Sequence, residues 1–292
     1  MGCSAFGKII DGIVSMNKLI TVLVFASVAC TVSSQLIVEY ELKDDLAEIS
    51  GLELLNDSTL IAFNDGGNKE KLYLLDLKGN LIKTVDVVDA KNKDWEDIAI
   101  DKEHVYIGDF GNNSNKRTNL KIYKIEIVDI LNKKEVKSKE IEFSYGEQTA
   151  FPPISDSMLY DVEGMTFYND SLWLFTKDRS TKPNGYSTIY KIPTNPGTYI
   201  VYKSDKAYIG KNGWLTDGVT AVDVFENHFY ILTYNRYIIK KYTNGKFTNV
   251  SSFTFNSMGQ RESIVVLNKQ SIFVADEQNQ LTGSMKLYKI RP

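Results

Sequence analysis

Five segments of the chain share one plan. An acidic or hydroxyl residue opens a short apolar strand, a tight polar turn follows, and a second, aromatic-rich strand runs into Asp, Asn or Gly. The copies read EISGLELLNDSTLIAFND, DWEDIAIDKEHVYIGDFG, DVEGMTFYNDSLWLFTKD, GVTAVDVFENHFYILTYN and RESIVVLNKQSIFVADE. Each is trailed by a further strand carrying a tyrosine: KLYLLDL, LKIYKIEI, TIYKIP, IIKKYT and MKLYKI. A strand-rich unit repeated every several tens of residues predicts an all-β, five-bladed β-propeller with four strands per blade. In that architecture the first strand of every blade points at one axis, so the residues that open those strands form a ring.

The last copy ends at MKLYKIRP without a fourth strand, whereas LIVEYEL (Leu36 to Leu42) precedes the first copy without a blade of its own. The N-terminal strand is therefore expected to complete the last blade, leaving only short protected edges. Six blades would require another blade inside residues 120–150 or 182–213, and both stretches read more simply as the outer strands of a long blade.

Residues 1–34 read as an N-terminal extension and a secretory signal, and residues 35–292 as a single propeller domain. From Met16 a lysine precedes the apolar run Leu19–Ala29, and Val32-Ser33-Ser34 precedes Gln35, the order of a cleavable leader. The run is short for a bilayer, so no membrane span is expected. A lipidated Cys30 is the alternative, opposed by Ser27 where a lipobox carries Leu. Cleavage after Ser34 removes two lysines and one aspartate, taking the formal net charge from −3 to −4, and removes both cysteines. The exported domain then has neither disulfides nor thiol chemistry. Mild acidity argues against a nucleic-acid partner, and the domain is expected to be monomeric and secreted, periplasmic or held at the cell surface.

The two histidines, His104 and His228, fall in turns far from the strand openings, which excludes a histidine-based zinc centre or a Ser-His-Asp triad at the axis. The glycines of Gly66-Gly67 and Gly108–Gly111 are read as turn geometry. Aligned on their second strands, the copies place Ser50, Glu96, Glu163, Thr220 and Glu262 at the equivalent position of the innermost strand. Three converging glutamates repel one another unless a proton or a cation intervenes. Ca²⁺, which takes about six to eight oxygens in flexible geometry, suits such a ring. The alternative is a wet channel whose acids pair with lysines.

The order Ser, Glu, Glu, Thr, Glu, with flanks EISGL, WEDIAI, VEGMTF and ESIVVL, resembles the five-bladed propeller of the calcium-activated nucleotidases, the soluble apyrases. The resemblance implies that Ser50, Glu96, Glu163, Thr220 and Glu262 hold one central calcium, Thr220 standing where the family has Ser. DWEDIAI with YIGDFGNNSNKR also resembles a group of exported bacterial propellers of unassigned activity, and DVEGMTF resembles the propellers named esterase-like from phytase.

The first two strands of a blade run antiparallel, so the start of one and the end of the next share a face. That face collects Asp65 and Asp109, candidate bases for activating water, together with Arg117, Arg179, Arg236 and Arg261, whose planar forks suit phosphate or carboxylate. Internal pairing with neighbouring acids is the competing role for these arginines. Trp95 and Trp214 are candidate stacking surfaces there, or blade-to-blade packing. Two functions follow: a calcium-dependent hydrolase of an anionic phosphate substrate, or a module binding a glycan, peptide or envelope partner with structural calcium.

Overall fold

The second strands of the repeats are near-continuous apolar runs, the pattern of a strand packed on both faces. In the computed structural model, which describes residues 35–257, 259–278 and 285–291, this is their environment: Leu60 to Asn64, Val105 to Asp109 and Ile272 to Asp276 are buried without interruption. The expected leader, with Cys30, lies outside the described residues. Blade 1 comprises Ile49–Asn56, Thr59–Asn64, Lys71–Asp76 and Leu81–Val87. Blade 2 comprises Trp95–Ile100, His104–Asp109, Leu120–Glu126 and Lys139–Tyr145. Blade 3 is Asp161–Tyr168, Ser171–Lys177, Tyr186–Pro193 and Lys203–Tyr208; blade 4 is Ala221–Phe225, His228–Leu232, Arg236–Thr243 and Lys246–Thr254.

Blade 5 contains Arg261–Asn268, Ser271–Asp276 and Lys286–Arg291, and the N-terminal strand Gln35–Glu41 closes it, pairing Leu36 with Ile290 in antiparallel register. The chain is thus a five-bladed propeller closed as the repeat layout predicts. The two long stretches hold outer strands and one addition each. Glu135–Val136, within blade 2, pairs in parallel with the outer strand of blade 1, and Gly197–Val201, within blade 3, does the same to blade 2. No helix among the described residues is long and apolar enough to cross a membrane.

Five apolar cores fill the five gaps between neighbouring blades. Trp95 belongs to the first. It is wholly buried, meets Phe63 edge-on at 5.3 Å, and donates its indole N–H to the Lys91 carbonyl at 3.1 Å. The expectation that Trp95 offers a stacking surface is therefore corrected, because the indole is the joint between blades 1 and 2. Between blades 3 and 4 the joint combines aliphatic side chains with an aromatic cluster, Tyr168, Trp173, Phe229, Tyr242 and Phe247 in edge and tilted contact.

Near the axis, side chains rather than ladders tie the innermost strands together. Ser50 Oγ donates to the Glu96 carbonyl at 2.5 Å, Thr220 Oγ1 to the Arg261 carbonyl at 2.7 Å, and Ser263 Oγ to the Ser50 carbonyl. Deeper down, Asp97 accepts the N–H of Ile98 on its own strand at 2.8 Å and those of Met165 and Val222, on blades 3 and 4, at 2.7 and 3.2 Å. Asp223 links blade 4 to blade 5 through the Val266 N–H at 2.6 Å. Asp97→Ala leaves two inter-blade donors without acceptors, each worth about 1–3 kcal/mol when buried. A loss of about 2–5 kcal/mol is expected from urea unfolding; a loss below about 1 kcal/mol would show that the clasp carries little of the closure.

Candidate axial cation site

The ring residues project because the ladder slips where they stand. The register between the first two strands shifts across Ser50 in blade 1, across Glu96 and Asp97 in blade 2, across Glu163 in blade 3 and across Glu262 in blade 5. Each is thereby the extra residue of a bulge, free of cross-strand pairing and aimed at the axis. Thr220 sits just before the first strand of blade 4 and donates its N–H to Leu232 at 3.0 Å. All five ring residues are buried.

The charges around this ring are not evenly met. Glu163 is paired twice, with Lys177 Nζ at 3.1 Å from Oε2 and Arg179 Nη2 at 2.6 Å from Oε1. Burial opposes its ionisation, yet these two cations hold it below the usual carboxylate range. Glu262 has Lys177 and Tyr234 as neighbours, although burial still raises its pKa. Glu96 pairs with no lysine or arginine among the described residues. Its oxygens gather with those of Asp65 and Asp94, one from each residue lying within 4.8 Å of the other two. The five-residue ring is therefore split into a side neutralised by the protein's own cations and a side with an unmet negative charge.

Two glycines make the unmet side possible. A Cβ on Gly111 would lie 2.1 Å from Glu96 Oε1 and 2.7 Å from Asp94 Oδ2, and one on Gly66 would lie 2.7 Å from Asp94 Oδ1. Gly66 and Gly67 are the central residues of a turn closed by the Asn68 N–H on the Asp65 carbonyl, as the sequence-based reading expects, with Gly67 at φ +84°; Gly111 lacks a positive φ and answers to close approach instead. Burial, together with mutual repulsion, pushes Asp65 up to about 7 and Asp94 to about 6, and raises Glu96 well above the ordinary value. Glu277, on the blade 5 side, reaches about 7 for the same reasons.

The four arginines form a series of internal clamps. Arg117 meets Asp109 at 2.7 Å, Arg179 meets Asp161 at 2.5 Å, Arg236 meets Asp217 at 2.6 Å, and Arg261 lies 3.6 Å from Asp276 under the Phe255 ring. Blades 2 to 5 thus carry one clamp each, and residues 49–87, which build blade 1, contain no arginine. The expected role of these arginines in substrate binding is corrected on this geometry: each guanidinium is turned toward the protein's own carboxylates and backbone carbonyls, and Arg261 is wholly buried. Asp109 is likewise buried in its pair with Arg117, which removes it as a base open to solvent. Trp214 is partly exposed and stacks on Arg179 at 4.7 Å. His104 opens the second strand of blade 2, just past the distal turn, with Asp101 and Glu126 beside its ring.

Asp94 is the functional candidate that sequence reading missed. It precedes Glu96 by two residues at the start of a strand, the spacing that puts two side chains on one face. Lys177, Tyr234 and Glu277 were also missed; they stand at the ends of second strands, where the repeat suggests only a generic polar rim.

No protein-family model matches the chain, and a search of the curated proteins finds no match to it. The crystal structure of glutaminyl cyclase from Myxococcus xanthus aligns with it at a TM-score of 0.56 and 11% identity, covering 89% of this chain and 96% of that one. The PQQ-bound aldose sugar dehydrogenase from Streptomyces coelicolor aligns at 0.54 and 9%, covering 89% and 98%. At these identities the likeness is one of fold: both neighbours are propeller enzymes.

The raised carboxyls give the metal-free protein an inverted pH response. Between about pH 4 and pH 7 the folded mouth holds protons that the unfolded chain has already released, so these groups make stability fall as pH rises. In chelator the melting temperature is expected to be higher at pH 5 than at pH 7.5. A higher value at pH 7.5 would place the acids in compensated pairs instead.

Proposed function

We propose that this chain is an exported propeller that binds a divalent cation of the calcium class at Asp65, Asp94 and Glu96, beside the axis on the blade 1 and 2 side. One observation carries the reading: three carboxylates converge within 4.8 Å where Asp65 and Glu96 have no lysine or arginine partner among the described residues and Asp94 reaches Arg117 only at 3.9 Å. An all-oxygen set without thiolate or imidazole suits a hard cation. Within the sequence-based ligand set Glu96 is kept, Glu163 is given over to Lys177 and Arg179, and Ser50 and Thr220, whose hydroxyls donate to backbone carbonyls, have oxygen lone pairs left to offer a cation.

Of the two ligand classes, geometry favours the binding module, for a glycan or peptide recognised through the cation. The arginines that would have met a phosphate are already engaged, and the mouth carries an acidic surplus that repels a polyanion. The hydrolase reading rests on the same cation, which would lower the pKa of a bound water and ready it to attack a phosphate ester. A bound cation would supply charge neutralisation and polarise a ligand oxygen.

Elemental analysis of dialysed protein is expected to find one calcium per chain. At a hundredfold excess over Kd the ion adds about 2.7 kcal/mol of stability, so melting curves in chelator and in millimolar calcium should separate by several degrees. Superimposable curves with no bound metal reject the reading. Glu96→Gln should lower calcium affinity at least about tenfold, a loss of about 1.4 kcal/mol, while Glu103→Gln, at a distal turn, should leave it unchanged. Gly111→Ala should weaken calcium binding with little effect on stability in chelator, because its Cβ displaces flexible carboxylate ends rather than backbone. Release of phosphate from nucleotides and phosphate esters in calcium, absent in Asp65→Asn, would favour the hydrolase over the binding module.

A further inference from the structure

Lys177 is the last residue of the second strand of blade 3, paired across the sheet with Asp161. The positions equivalent to it in the ladders of blades 1, 2 and 5 are Asn64, Asp109 and Asp276, an amide and two acids. Blade 3 alone among these four places an ammonium there. The side chain is 1% exposed, and its Nζ lies 3.1 Å from Glu163 Oε2, 3.3 Å from the Tyr234 hydroxyl and 4.8 Å from the centre of the Tyr234 ring.

Glu262, on blade 5, also feels this ammonium and is hydrogen-bonded by Tyr234. The surroundings accommodate the lysine stem. A Cβ on Gly218 would lie 2.8 Å from Lys177 Cγ and 3.0 Å from its Cε, so the glycine that opens the fourth repeat leaves the room the stem fills. Burying a lysine this completely is costly unless its charge is paired and its donors are satisfied. Two glutamates, a phenol oxygen and an aromatic face meet that requirement with the kind of oxygen shell that a metal ion would otherwise demand.

We propose that the axis of this propeller is a second cation seat and that Lys177 occupies it, a tethered ammonium standing where the Glu163 and Glu262 side of the ring would otherwise take up a divalent ion. Lys177 thereby sets how many ions the protein holds and confines metal to the opposite side of the ring. The inference concerns the number of ions gained when the ammonium is removed, so it stands independently of whether Asp65, Asp94 and Glu96 bind one.

The test counts calcium bound to wild type, Lys177→Met and Lys177→Arg by titration calorimetry and elemental analysis. Lys177→Met is expected to bind one calcium more per chain than wild type. Its melting temperature in chelator should fall below that of wild type and recover in millimolar calcium, while Lys177→Arg keeps the wild-type count. If wild type binds none and Lys177→Met binds one, the axial seat is supported and the cation site at Asp65 is rejected. A folded Lys177→Met with the wild-type count overturns the proposal. So does a Lys177→Met that calcium cannot refold when Lys177→Met/Glu163→Gln folds normally, because calcium then fails to replace the ammonium. A wild-type calcium that Glu262→Gln alone abolishes overturns it too, since the axis would already hold metal.

Discussion

More carboxylate charge is drawn into the axial mouth of this propeller than its own lysines and arginines neutralise, and the organisation of the site follows from that imbalance. Four blades answer it locally, each with an arginine set against an aspartate, and blade 3 adds a buried lysine. Blade 1 has neither. The uncompensated charge consequently collects where blade 1 meets blade 2, at Asp65, Asp94 and Glu96. A ring that looks five-fold in its oxygens is lopsided in its charges, and its unmet charge lies on the side where the repeat is incomplete.

The same imbalance bears on what the mouth can recognise. An arginine held by a carboxylate within hydrogen-bonding distance contributes position and rigidity, but few free donors. The clamps turn the rim's arginines toward the protein's own carboxylates and leave it short of anion-binding capacity, with Trp214 partly exposed beside Arg179. Glycine contributes through absence. At Gly66, Gly111 and Gly218 the missing side chain leaves room for a carboxylate or a lysine stem near the axis.

The blade count and the closing strand were legible in the sequence because both depend on periodicity and on runs of apolar residues, which the chain displays openly. The ring was legible for a related reason: Ser50, Glu96, Glu163, Thr220 and Glu262 open equivalent strands, and a glycine directly after Ser50 and Glu163 hints at the bulge that aims them. Pairing was not legible. Whether Trp95 faces solvent or Phe63 is decided by which neighbouring blade lies against it, a contact between residues tens of positions apart, and whether Arg261 faces a ligand or Asp276 is decided by how two strands of its own blade pair. Lys177 illustrates the limit best. In the sequence it is one lysine at a strand end, and only the convergence of blades 3, 4 and 5 makes it an axial charge.

The added parallel strands leave the ring unevenly fastened. Glu135–Val136 and Gly197–Val201 each reach back onto the preceding blade, so backbone hydrogen bonds stitch blades 1, 2 and 3 to one another. From blade 3 to blade 5 the described outer strands make no such exchange, and the joints there rest on packed aromatic and aliphatic side chains. Apolar packing weakens on cooling, whereas a backbone stitch lacks that dependence on water. Temperature therefore acts as a selector on this molecule: in the cold, the three seams from blade 3 round to blade 1, which lack an added parallel strand, are expected to loosen before the two that have one.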